Sequence, residues 1–352
     1  MSELSFTTAP TDPHTELVRG MYRGFLGREP DAPGLAHWVA RLGAGTASSE
    51  LVEAIMASPE YLKIQAGRAR HAALRQAMAA AGVPLLGQPL SIVDIGAQEL
   101  EGEQHVYAPL QAAGLPCRVT GFEPQEDKIA ASLARQPDGS LRLYPTFIGD
   151  GGTHTFHINN DDATSSLLPL NRPLTGELVD LSHLETVRTF EVATSRLDDV
   201  LKDDGTVDFL KLDIQGFELP ALEHAREVLA RTNVVHCEVS FMPIYAGQAL
   251  FSDIEALLRA AGFTFMDFSS LCRYPYHGAA QGASRDRLGW GDAVFFRTGG
   301  TLAPRDLLAQ ALVALLVYDK PSYAEHLARR HDVATGAALA APFDAPAPGA
   351  AQ

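Results

Sequence analysis

Two different periodicities divide the chain. From Thr15 to about Ala80, apolar residues recur at helical spacing. Leu17, Met21, Phe25 and Leu26 form one face, Leu35, Trp38, Val39 and Leu42 a second, and Leu51, Ile55 and Met56 a third. The run Gly27-Arg28-Glu29-Pro30-Asp31 turns the chain, and Ser58-Pro59 restarts a helix with the serine as N-cap and the proline at the first helical position. Gly82-Val83-Pro84 and Gly87-Gln88-Pro89 mark a boundary. Beyond it, short apolar runs alternate with helical patterns, which predicts a parallel sheet covered by helices. Strands are predicted over 91–95, 118–122, 141–148, 153–158, 207–214 and 234–241, with 262–268 and 292–297 as a late antiparallel pair. Leu219, Leu222, Val228 and Leu229 give the crossover before 234–241 a helical apolar face.

The insertion 159–191 reads as mostly irregular, and insertions of that length inside a compact domain are often lids. The segment 304–331 reads as a helical hairpin. Residues 1–14 are polar and proline-punctuated, and the Ala/Pro-rich tail lacks large apolar residues to pack. The expected organisation is a disordered 1–14, a small helical domain 15–82, an α/β domain 88–300, a helical hairpin 301–332 and a disordered tail 333–352.

Composition narrows the function classes. In 352 residues the apolar fraction, 46%, is that of a globular chain, so a sizeable core is expected. A formal net charge of −15 with no run of basic residues argues against nucleic acid as a partner, because phosphate neutralisation needs clustered Lys and Arg. Cys117, Cys237 and Cys272 are far apart and read as free thiols of a reducing compartment. The first residues lack a basic segment followed by an apolar core, and the longest apolar run, 307–317, is too short to span a bilayer. The expectation is a cytoplasmic protein without membrane insertion.

The richest stretch for chemistry is 207–219, V-D-F-L-K-L-D-I-Q-G-F-E-L. It reads as a buried strand that carries Asp213 to the mouth of a sheet, where open α/β folds bind ligands. Alternation puts Phe209, Lys211 and Asp213 on one face of this strand, and His236, Glu238 and Ser240 on one face of 234–241. Asp94-Ile95-Gly96-Ala97 ends the first strand in a tight turn, where a glycine lets a nucleotide-type ligand approach the backbone. The second strand ends at Phe122-Glu123-Pro124, and an acid at that tip can accept hydrogen bonds from both ribose hydroxyls. NAD competes for such a pocket, but no G-x-G-x-x-G follows the first strand.

Several spaced blocks resemble the FkbM family of methyltransferases, which depend on S-adenosylmethionine (SAM). They are Gly121-Phe122-Glu123-Pro124, Arg196-Leu197-Asp198-Asp199, the run from Asp208 to Glu218, Glu238-Val239-Ser240-Phe241 with Tyr245, and Trp290-Gly291-Asp292-Ala293. The resemblance implies a Rossmann-like, doubly wound, seven-stranded class I methyltransferase sheet behind a small all-α domain. It implies SAM as cofactor and O-methylation of a sugar, glycan or small natural product. On that likeness Asp94, Gly96, Ala97, Glu123, Pro124, Gly149, Asp150 and Asp213 are expected at the cofactor, with Gly149 and Asp150 near the adenine. The turn departs from the family's habit in having Gln98 and a late glycine, Gly102.

In the resembled architecture the two site strands are neighbours, so Asp213 and Glu238 are expected to approach as catalytic carboxylates, with Lys211 and His236 one pleat deeper. Either carboxylate can take an acceptor hydroxyl's proton if burial or repulsion raises its pKa. Two readings compete: the carboxylates holding a divalent cation, which is not the expectation, or a structural ion pair with Lys211. Ser165, Ser166, Gln215 and Glu218 are the candidate contacts to the acceptor, and His236 reads as a core histidine.

The segment from Tyr22 to Tyr61, with Tyr22-Arg23, Phe25-Leu26-Gly27-Arg28, Pro30-Asp31, Gly34-Leu35, Trp38 and Ser58-Pro59-Glu60-Tyr61, resembles a small bacterial helical domain of unknown function related to phycobilisome-linker modules. It implies a structural bundle or a docking unit for a protein partner. The alternatives to an O-methyltransferase are an inactive methyltransferase-like scaffold and a different nucleotide-cofactor enzyme of the NAD type.

Overall fold

The structure, a computed structural model, describes residues 12–96, 104–124, 129, 132–134, 139–280 and 282–345. The chain divides into two compact units, the first ending at Gln76 and the second spanning Ala77–Asp344.

The first unit consists of the helices Pro13–Leu26, Ala32–Gly43 and Ser48–Met56, followed by the helix that starts at Pro59. Side-chain caps fix where these helices begin. The Asp12 carboxylate accepts from the Thr15 amide, Asp31 from Gly34 and the Ser58 hydroxyl from Tyr61. Val18, Trp38, Leu42, Leu51 and Ile55 form the buried core. Leu17 and Met56, expected on its apolar faces, stay exposed.

The second unit is built on a seven-stranded sheet of order β3-β2-β1-β7-β8-β10-β9. The strands are β1 Leu90–Ile95, β2 Cys117–Phe122, β3 Leu141–Tyr144, β7 Val207–Leu212, β8 Thr232–Ser240, β9 Phe263–Tyr274 and β10 Arg287–Arg297. Neighbours are parallel from β3 across to β8, and β10 runs antiparallel to both β8 and β9. The order reverses at β1, so the ends of β1, β2 and β7 flank the topological switch point where such sheets bind ligands. One face packs Val93, Ile95, Leu210, Leu212, Val235 and Val239 into a core with the crossover helices. The crossover is two short helices, Glu218–Glu223 and Arg226–Ala230, with Leu222, Val228 and Leu229 buried.

Three expectations change. The predicted strand 141–148 is two strands, because Pro145 has no N–H to donate. Its second part, β4 Phe147–Ile148, pairs in parallel with β6 Thr186–Ser195, which pairs antiparallel with β5 Thr153–Asn159 in a separate three-stranded sheet. The insertion therefore ends in a strand, β6, rather than in irregular chain. The tail is ordered further than expected. The second helix of the hairpin, Pro321–Thr335, is followed by buried Leu339 and Ala340, whose amides donate to Asp332, and by the helix Ala341–Asp344. Among the described residues no helix is long and apolar enough to cross a membrane.

Candidate active site

The ends of β1, β2 and β7 open into a concave cleft, the form that small-molecule sites take. Gly96, Glu123, Pro124, Ser165, Asp213 and Gln215 line it, together with the apolar wall of Phe122, Phe147, Ile148, Phe156 and Leu167. Gly96 has a left-handed backbone, φ +79°, and a Cβ there would lie 1.9 Å from the Asp213 carbonyl oxygen. Only glycine fits a turn that presses so closely on the neighbouring strand end. Ala97 lies outside the described residues.

Asp213 directly follows β7, and its amide donates to the Ile95 carbonyl at 3.1 Å. The next residues turn back with two positive φ values, +56° at Gln215 and +99° at Gly216. A left-handed glutamine is uncommon, and its surroundings fix it. The Gln215 carbonyl accepts from the Ser166 hydroxyl at 2.6 Å. Its side-chain amide donates to Asp213 Oδ1 at 3.0 Å and to Glu238 Oε2 at 3.3 Å. The Tyr245 hydroxyl lies 2.9 Å from both Gln215 Oε1 and the Thr164 carbonyl. Asp213 and Glu238 thus come together as a pair bridged by one amide.

Deeper in the sheet, Lys211 pairs in register with Asp94 of β1 and with His236 of β8. Lys211 Nζ lies 3.2 Å from the Gly96 carbonyl, 3.3 Å from Asp94 Oδ1 and 3.6 Å from Asp213 Oδ2. Burial opposes the charge on this ammonium, but Asp94 and Asp213 outweigh it and hold the pKa above the usual lysine value. Burial also opposes the charge on Asp94. Lys211, His105 and Tyr107 outweigh it and keep the carboxyl below its ordinary range. Glu238 goes the other way: burial, then the charges of Asp213, Glu218 and Asp292, push it well above the carboxylate range.

Some expected contacts do not reach the cleft wall. Asp94 is fully buried under the turn, facing Lys211, His105 and Tyr107. Ser166 is buried, donating to Gln215 and accepting from the Leu168 amide. Gly149 and Asp150 sit past the end of β4, outside the lining. Asp150 faces His154 at 2.7 Å and accepts from the Gly152 amide at 2.8 Å. The Pro145 break diverts this segment into the second sheet, and Thr146, Phe147 and Ile148 reach the cleft instead. Glu238 contacts the site through Gln215 rather than the wall. His236 is buried, with Nδ1 3.0 Å from the Tyr318 hydroxyl, as a core histidine should be.

Glu218 is also diverted from the expected acceptor contact. It is buried, and Oε1 accepts from the Ile214 amide at 2.9 Å and the Gly216 amide at 3.1 Å, which holds the Gln215 turn shut. Burial is the main reason its pKa is pushed up to about 7. The folded chain then keeps a proton that the unfolded chain loses near the ordinary value of 4.5. Its contribution to stability should therefore fall as pH rises from about 4.5 to 7, by roughly 3 kcal/mol. Glu218→Gln keeps both acceptor contacts but cannot ionise. Urea unfolding across this window should show a flatter pH dependence for the variant than for the wild type; equal slopes would contradict this assignment.

Tyr245 is the residue whose connection the sequence did not reveal, since its hydroxyl orients Gln215 from across the fold. Its sequence signal is its place in the FkbM-like block that starts at Glu238, which marks the residue but not its partner. Among the described residues no group of three or more His, Cys, Asp or Glu is arranged to hold a metal ion.

Both the sequence and the fold have known relatives. Residues 94–265 match the Methyltransferase FkbM domain, and residues 5–64 match a domain of unknown function, DUF4214. Over 176 residues, 47% of this chain and 70% of the relative, the sequence is 30% identical to the 2-O-methyltransferase NoeI of Sinorhizobium fredii. Among solved structures, the magnesium protoporphyrin IX methyltransferase ChlM from Synechocystis, with bound SAM, aligns with a TM-score of 0.31 and 12% identity. It covers 83% of this chain and 100% of that one. The ribosomal protein L11 methylase from Lactobacillus delbrueckii aligns with a TM-score of 0.29 and 12% identity, over 63% and 77% of the two chains. With its sequence blocks in order, its seven-stranded sheet and its identity to a 2-O-methyltransferase, the chain belongs to the FkbM family of methyltransferases.

Proposed function

We propose that this methyltransferase uses SAM to methylate a hydroxyl of a sugar, a glycan or a small polyhydroxylated natural product. The observation that carries this reading is the Gln215 amide bridging Asp213 and Glu238 at the mouth of the cleft. The 2-O-methyltransferase relative supports oxygen as the methylated atom.

The residues present fit the cofactor. Gly96 brings the first turn to the cleft wall, where its lack of a Cβ lets the turn pack directly against the Asp213 carbonyl. Glu123 lines the cleft at the tip of β2, where an acid suits a ribose diol. Thr146, Phe147 and Ile148 supply a largely apolar wall for a flat base. When bound, SAM supplies a methyl group already activated by its sulfonium.

The chain's own task is then to align the acceptor, exclude water and take a proton. Tyr245 next to Gln215 Oε1 turns the amide so that its N–H groups face the two carboxylates. Glu238, pushed up by burial and its acidic neighbours, is the member of the pair that keeps a proton. Asp213, at the cleft wall, is left as the acceptor for the hydroxyl proton. Leu167, next to the Ser166 that holds Gln215, gives that side of the cleft an apolar cover against water.

The test is to incubate the protein with methyl-labelled SAM and a glycan extract, and then to locate the label. The reading predicts label in carbohydrate as an ether that survives mild alkali. Label recovered as an alkali-labile ester, or in protein, would overturn it.

A further inference from the structure

Lys211 is a charged side chain that the proposed chemistry leaves without a task. It is only 14% exposed and has three oxygen atoms within 3.6 Å, at the ends of two neighbouring strands. Two of them, Asp94 Oδ1 and the Gly96 carbonyl, belong to the end of β1 and the cofactor turn. The third, Asp213 Oδ2, belongs to the acceptor side. These two strand ends already touch through backbone: Asp213 N–H donates to Ile95, and the Asp213 carbonyl fills the space a Gly96 side chain would need.

The charged surroundings of Lys211 are few. On β1 Asp94 carries His105 and Tyr107 on its other side. Directly after β7 there is Asp213. On β8 lie His236, its register partner, and Glu238, one pleat further out. On β10 there is Asp292, which faces His236 at 3.7 Å and accepts from Ser270 at 2.6 Å. No second lysine or arginine pairs with these groups among the described residues. One ammonium therefore holds the orientation of both the turn carbonyl and the Asp213 carboxylate, and a shift in either must be felt by the other.

We propose that Lys211 is a positioning residue that ties the cofactor turn to Asp213, so that cofactor binding and the setting of the acceptor-side carboxylate are energetically linked. This rests on the cleft being the SAM site. A lysine that merely filled a buried ion pair would stabilise the fold without linking the two strand ends. Linkage is what a double-mutant cycle measures.

The cycle compares wild type, Asp213→Asn, Lys211→Met and the double variant, with S-adenosylhomocysteine affinity read by calorimetry and folding confirmed by thermal melts. With Lys211 present, Asp213→Asn is expected to change the affinity about fivefold. Without Lys211 the same change should have an effect of less than about twofold. Lys211→Arg, which restores the charge, should restore most of the coupling. Effects that simply multiply, within about 1.5-fold, would overturn the proposal. If Lys211→Met does not melt cooperatively, the cycle is run with Lys211→Gln, which keeps a donor but no charge; a fivefold effect of Asp213→Asn that persists in that background would equally overturn it. Failure of the wild type to bind S-adenosylhomocysteine would overturn the SAM reading itself, a different outcome from additivity.

Discussion

Replacing Asp213 with asparagine is expected to lower methyl transfer by about 10²–10⁴-fold, the range for loss of a general base. The affinity for S-adenosylhomocysteine should stay within about tenfold of wild type. The substitution keeps the size of the side chain and an oxygen for the Gln215 amide, which donates to Asp213 Oδ1 at 3.0 Å. What it removes is the charge proposed to receive the acceptor's proton. Separate measurement of turnover and ligand affinity therefore distinguishes a proton acceptor from a cofactor ligand. Activity within tenfold of wild type would exclude Asp213 as the base. An affinity loss as large as the activity loss would make Asp213 chiefly a cofactor contact.

Gly96→Ala should be the most damaging single methyl group in the chain for cofactor binding. Its Cβ would meet the Asp213 carbonyl oxygen at 1.9 Å, a backbone atom that no rotamer change can move. The position also has φ +79°, a conformation that costs a non-glycine residue about 1–2 kcal/mol. Either the turn opens or Asp213 shifts. The expected result is a loss of S-adenosylhomocysteine affinity greater than about 100-fold and a lower melting temperature. Gly87→Ala separates the two causes, because Gly87 has a similar φ, +67°, with nothing within 4 Å of the added methyl group. That variant should share the conformational cost but keep its affinity. Equal affinity losses in both would mean that backbone strain, not the contact with Asp213, carries the effect.

The parts of the site that were legible in the sequence are those set by local pattern. Alternation along 207–214 and 234–241 put Asp213 and Glu238 on facing positions, with Lys211 and His236 a pleat deeper, and the register agrees. Glu123 and Pro124 follow directly from where β2 ends. What stayed hidden depends on chain segments that meet only in the folded state. Glu218 opens a helix and looks available, but its carboxylate folds back onto the Ile214 and Gly216 amides. Asp94 belongs to the motif of the first turn but lies beneath it, neutralised by Lys211. Nothing in their spacing carries that information.

The same distinction explains the fold. β6 escaped notice because its first six residues are exposed, so it lacks the apolar alternation that marks a half-buried strand. Its identity comes from pairing with β5 and β4. The split of the third strand was visible in principle, since Pro145 stands in the middle of the predicted run. It also moved the cleft wall from Gly149 and Asp150 to Thr146, Phe147 and Ile148.

On the proposed reading, the cleft between the ends of β1, β2 and β7 is a SAM site facing a bridged carboxylate pair. Calorimetric titration of the full chain with S-adenosylhomocysteine tests it most directly. The expected result is saturable binding of one equivalent at micromolar concentrations, weakened at least about tenfold by Glu123→Ala. Absence of binding at millimolar ligand, or binding that Glu123→Ala leaves unchanged, would contradict it.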